Sequence, residues 1–156
     1  MPKESTTPDL EKAARRALEA LNRRDFDAAL SVWAPDAVWE LPPLGLAVLE
    51  EGPLIGQEAI RKLWEDLTGS FEDYEFENED FHDLGSGVTF GVLVQRSRPH
   101  GSDRFIETRL GVVAIWIDGR IARATSYQDV DEARAAAERL AEDRGKRCPR
   151  TWTCPR

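Results

Sequence analysis

Apolar residues recur at helical spacing through Leu10, Ala13, Ala14, Ala17, Leu18 and Leu21, with Lys12, Arg15, Arg16 and Glu19 largely on other faces. The pattern breaks at 22–24. Asp25 then stands where it can cap a second, short helix whose buried side is Phe26, Ala29, Leu30 and Trp33, with Pro35 as its stop. Residues 37–41 alternate as a short strand, and prolines 42, 43 and 53 with glycines 45 and 52 make 42–55 loop-like. A third helix opens at Gly56, with Ile60, Leu63, Trp64 and Leu67 on one face. The period then changes to two. Strands are predicted over 74–82, 88–98, 104–117 and 120–128, separated by turns at 83–87, 99–103 and Asp118-Gly119. A last helix is predicted over 130–142 through Val130, Ala133, Ala137, Leu140 and Ala141. Helices followed by a strand meander imply an α+β fold, with helices packed on one face of a curved sheet.

Length agrees with one domain, since 156 residues can bury a core without metal or disulfide staples. Residues 1–7 read as an extension, 8–143 as the domain and 144–156 as a basic tail with five cationic side chains and no acid. The remainder is acidic, and the net charge of −8 argues against nucleic-acid binding, which needs clustered Lys and Arg. No apolar run reaches the roughly 20 residues of a membrane span, and the first eight residues lack an apolar leader core, so a cytoplasmic protein is expected. Seven acids lie between Glu72 and Asp83 without calcium-loop spacing, and they read as a solvated strand face. Cys148 and Cys154 make neither a C-x-x-C motif nor a four-ligand zinc set; reduced thiols in a tail are the expected state. No metal and no cofactor are expected.

Several short motifs, taken in order, resemble a known family. They are Ala20-Leu-Asn-Arg-Arg-Asp-Phe-Asp27, Trp33-Ala-Pro-Asp-Ala-Val-Trp39, Gly56-Gln-Glu-Ala-Ile60, Asp118-Gly-Arg-Ile121 and Tyr127-Gln-Asp129. The chain resembles SnoaL-like proteins of the nuclear-transport-factor-2-like superfamily over about residues 8–142. That resemblance implies a cone of antiparallel sheet wrapped around N-terminal helices, a small, largely hydrophobic organic ligand inside the cone, and a homodimer. It does not imply one reaction, because the superfamily hosts isomerases, cyclases, epoxide hydrolases and non-enzymes. The ketosteroid isomerase set would fall at Leu41, Ala17 and about Val113, all apolar here. Of the limonene epoxide hydrolase set only the arginine is matched, at Arg96; its other members would fall at Arg98, Ser126, Trp39 and Leu41.

The residues themselves suggest a ligand site. Strand parity places Arg96 with Phe90, Val92 and Val94, and Glu107, Arg109 and Val113 share a face of the next strand. With that face turned into the cone, Arg96 would be paired by Glu107 and hold a ligand oxygen. Arg109, Val113 and Ser126 would lie nearby, with Trp39 and Trp64 as apolar walls. Chemistry there would be cofactor-independent isomerisation, cyclisation or hydration, with Arg96 as electrostatic stabiliser. The alternative is a non-catalytic binding or dimerisation module with a side-chain-filled cavity. The same parity turns Val112, Ala114 and Trp116 outward, as an apolar stripe for a second copy. Asp129 reads as a helix cap and Tyr127 as facing away from the pocket.

Overall fold

The computed structural model describes residues 7–41 and 52–147. The loop-like stretch 42–51, most of the basic tail and both cysteines lie outside the described residues. The order is α1 (Thr7–Asn22), α2 (Phe26–Leu30), β1 (Trp33–Glu40), β2 (Leu54–Ile55), α3 (Gln57–Ser70), β3 (Phe71–Gly85), β4 (Val88–Pro99), β5 (Ile106–Ile117), β6 (Arg120–Tyr127) and α4 (Val130–Arg147). The fold is α+β: six strands form one sheet in the order β2-β1-β6-β5-β4-β3, antiparallel except for the β1–β6 pair.

Apart from shifts of two or three residues at the ends of β3 and β5, the sequence pattern and the elements differ in three places. Trp33 is not on a helix and Pro35 does not stop one, because α2 ends at Leu30 and β1 begins at Trp33 rather than residue 37, with Pro35 inside it. There the β1–β6 register shifts between Trp33 and Val38, and such an irregularity admits a residue with no N–H to give. The two residues of β2 pair with Val38 and Trp39, within a stretch that reads as loop. Helix α4 runs to Arg147 rather than Glu142, and Arg144 Nε donates to Ser86 O at 2.9 Å on the β3–β4 hairpin.

Both faces of the sheet carry helices, the outer one only in part. On the inner face, α1 and α3 bury Leu10, Leu21, Ile60, Trp64 and Leu67 against Trp33, Trp39, Phe76, Ala114 and Trp116. On the outer face, Ala133 and Ala137 of α4 pack on Val88, Phe90, Val92 and Val113. The seat of α4 is close: a Cβ placed on Gly111 would come within 2.3 Å of the Ala133 Cβ. Asp129 caps this helix as expected, its Oδ1 accepting from the N–H groups of Asp131 (2.9 Å) and Glu132 (3.1 Å).

The long edge strand β3 is tied to the C-terminal end of α1 at Phe76. Asn22 Nδ2 donates to Phe76 O at 2.8 Å, and Phe76 N–H donates to Asn22 Oδ1 at 2.9 Å. One amide therefore satisfies both backbone groups that a neighbouring strand would use. Arg24 adds a bond from Nη2 to Tyr74 O at 2.6 Å.

Candidate functional site

The inner face lines a cavity of about 140 Å³. Cross-strand register explains its lining. Thr89, Ala114 and Ala124 form one inward row across β4, β5 and β6, and Gly91, Val112 and Ser126 form the next. Small side chains in these rows leave room for large ones arriving from other elements. Trp33 and Trp39 come from β1, Trp64 from α3, Trp116 from β5, and Phe76 and Phe81 from β3. Trp33 contacts both Trp39 and Trp64, with ring centroids 5.1 Å and 6.4 Å apart.

Buried indole N–H groups need partners, and two hydroxyls supply them. Trp39 Nε1 donates to Ser126 Oγ at 2.9 Å, and Trp116 Nε1 donates to Thr89 Oγ1 at 2.8 Å. These two bonds orient the rings and leave their faces as apolar walls. Asn78 adds an amide which, turned so that Nδ2 faces the carbonyls of Asp80 (2.8 Å) and Val92 (3.1 Å), donates to both. Among the described residues, the lining contains no ionisable side chain.

The expected site divides between the two faces. Trp39 and Trp64 line the cavity, and buried Ser126 holds the Trp39 indole. Arg96, Glu107, Arg109 and Val113 do share a face, but it is the outer one. Val113 is buried beneath α4. Arg96 donates to Glu107 at 3.1 Å as the spacing implied, yet the Arg96 side chain is 52% exposed. Arg109 pairs instead with Glu79 at 2.8 Å, also in the open. Arg96 therefore does not point into the cone. Val112, Ala114 and Trp116 are corrected in the opposite sense: they line the cavity and form no outward stripe. Tyr127 packs on the α4 side, away from the cavity, as read.

Parity failed because β4 and β5 are apolar at both sets of alternate positions, as a strand covered on both faces must be. A usable signal was side-chain size. Thr89, Gly91, Ala114 and Ala124 are small where a packed face would carry branched residues, and so mark the side where aromatic residues and a void must fit. Trp33, Trp116, Phe76, Phe81, Asn78 and Thr89 are among the lining residues that the sequence reading did not assign to the site.

Burial raises the Tyr74 phenol to about 12, and its hydroxyl bonds Gln95 Oε1 at 2.8 Å beside the inner cluster. Its rings with Phe71 and Phe76 extend the aromatic wall along β3. On the outer face, a hydrogen bond from His82 holds the Asp80 carboxyl below its ordinary range, and Asp80 also reaches Arg134 of α4 at 3.9 Å. Among the described residues no group of three or more His, Cys, Asp or Glu side chains converges as a metal site.

With this geometry in hand, the chain matches the model of the SnoaL-like domain over residues 14–124. It belongs to the SnoaL-like family. No curated protein matches it in sequence. Among solved structures it is similar to an NTF2-like protein of unknown function from Burkholderia pseudomallei, with 20% identity and a TM-score of 0.65, covering 83% of this chain and 97% of that one. It is also similar to TerC co-crystallised with polyporic acid, with 14% identity and a TM-score of 0.66, covering 84% and 98%. A candidate polyketide cyclase from Xanthomonas campestris follows, with 20% identity and a TM-score of 0.61, covering 81% and 94%. At these identities the likeness shows the NTF2-like cone fold, which this SnoaL-like chain shares. No helix among the described residues is long and apolar enough to cross a membrane.

Proposed function

We propose that this SnoaL-like protein binds a small, largely apolar organic molecule, one ring of which fills the cavity between Trp33, Trp39, Trp64 and Trp116. The observation that carries the reading is the cavity itself, walled by aromatic faces, with the indole N–H groups of Trp39 and Trp116 already satisfied. A void of this size holds about one benzene ring, as engineered apolar cavities of roughly 150 Å³ do. Two structural neighbours fit an organic ligand: one is co-crystallised with polyporic acid and one is a candidate polyketide cyclase.

Binding is favoured over turnover. Isomerisation, cyclisation or hydration requires a proton to be taken up or given. The described lining offers the Thr89 hydroxyl and the Asn78 amide, neither of which is a base near neutral pH. Arg96 supports no chemistry here, because it lies on the other side of the sheet. Calorimetric titration with a panel of substituted naphthols tests the reading. Binding is expected for the wild type and is expected to vanish in Ala114→Leu, which fills the cavity. A melting curve shows that this variant is folded. Equal affinities in the two proteins, or no heat from either, would reject cavity binding.

A further inference from the structure

A ring-sized void holds only part of an ordinary ligand, since small-molecule sites typically enclose about 300–1,000 Å³. Beside it, between α1 and β3, runs a groove of about 360 Å³. Groove and cavity share four lining residues, Leu18, Phe76, Asn78 and Phe81, so a single layer of side chains separates them. We infer that the cavity is loaded from this groove through that wall, and that its ligand is an elongated molecule with an apolar ring for the cavity and an uncharged or basic end for the groove. This inference rests on the cavity-binding reading above.

The wall exists because β3 is irregular. Its register with β4 shifts between Asn78 and Asp80, which inserts Glu79 as an extra residue. The shift turns both Asn78 and Phe81 inward, three positions apart, where an unbroken strand would send one of them out. Phe81 lies over Gly91, where an added Cβ would stand 3.8 Å from its ring and 3.3 Å from Asp80 O. Leu18 and Phe81 are both only partly buried, so rotation of two side chains joins the volumes without moving the sheet. Helix α1, the other bank of the groove, is held at its C-terminal end by the Asn22–Phe76 pair.

Charge sets which end the groove accepts. Its lining carries Glu11, Glu19, Glu77, Glu79 and Asp80 against Arg15 as the lining cation. Glu11 pairs with Arg15, whereas Glu79 and Asp80 turn their carboxylates to the outer face, onto Arg109 and onto His82 and Arg134. Glu19 and Glu77 form no ion pair among the described residues. An anionic end would meet like charge at the mouth, and such repulsion discriminates between otherwise equal ligands.

Three naphthalene probes with one ring and one linker, ending in an alcohol, a trimethylammonium or a sulfonate, test this by fluorescence titration and stopped flow. The alcohol and the ammonium are expected to bind, and the sulfonate about tenfold more weakly at low salt, with the gap narrowing as salt screens the groove. Glu19→Lys combined with Glu77→Lys should reverse the order of the two charged probes. Leu18→Trp should slow association of all three, and Phe81→Ala should speed it, with melting curves confirming folded variants. If none of the probes binds the wild type, the cavity reading itself fails. If they bind with equal affinity at low salt, or if both wall variants leave the association rate unchanged, cavity binding stands and the groove inference is overturned.

Discussion

Single residues divide here by whether a side chain meets water. Arg96 pairs with Glu107 on an open strand face, where an ion pair contributes about 0–1 kcal/mol. Arg96→Met is therefore expected to shift stability by less than about 0.5 kcal/mol and to leave naphthol affinity unchanged. Denaturant melts and the calorimetric assay check both. Tyr74 is the opposite case. Its phenol ionises near 10.0 in the unfolded chain and about 12 in the fold, because burial disfavours the phenolate. An acid whose pKa is raised on folding contributes stability below its unfolded value and loses it as pH rises through the folded one. Stability should thus decline from about pH 10 to 12, by at most about 1.4 kcal/mol per pH unit from this group. The chain holds two tyrosines, so spectrophotometric titration of Tyr127→Phe isolates Tyr74. An ordinary midpoint there would contradict the burial argument. Both residues also show what one sequence can reveal. The Arg96–Glu107 pairing was legible from strand spacing, but which face it occupies depended on helices lying elsewhere in the chain.

Among the elements, helices were the most legible and the two-sided strands the least. The periodic residues of α1 and α3 do pack on the inner face, because an amphipathic stripe has one way to be buried. Strands β4 and β5 have apolar residues on both sides, so alternation alone could not say which side met α4 and which met the cavity. Glycine carries that information at one point: Gly111 is bare because Ala133 of α4 occupies the space of its side chain. Gly111→Ala is expected to destabilise by about 1–3 kcal/mol, the usual cost of overpacking, read as a lower urea midpoint. Ala133→Gly in the same chain should recover part of the loss. A neutral Gly111→Ala would mean that α4 sits further from the sheet than described.

For the whole molecule, the cone topology was legible through the family motifs and the helix-then-meander order, whereas the site required knowing both coverings of the sheet. Pairing of two copies through the sheet remains a proposal, and its surface changes. The stripe of Val112, Ala114 and Trp116 is inside, and α4 covers part of the outer face. What stays open there is a charged strip in which Glu75, Arg96 and Glu107 lie in one cross-strand row, with Arg109 and Glu79 alongside. A second copy turned by half a revolution could set opposite charges against each other. Such a dimer should dissociate as salt is raised. Sedimentation at low and high salt checks this, and a monomer under both conditions would end the proposal.

The Asn22 amide has a consequence for how the protein ages. It is one uncharged group serving as donor and acceptor at once to Phe76. Spontaneous hydrolysis of the amide to a carboxylate keeps the acceptor but removes the donor, and sets a negative oxygen against the Phe76 carbonyl. The strand edge is then unlatched in molecules that were correctly folded when made, without any change in the gene. Asn22→Asp imitates this, and is expected to form strand-paired aggregates on storage faster than the wild type. Light scattering over time would follow the difference, and mass spectrometry would show whether aged wild-type aggregates are enriched in the one-dalton-heavier chain.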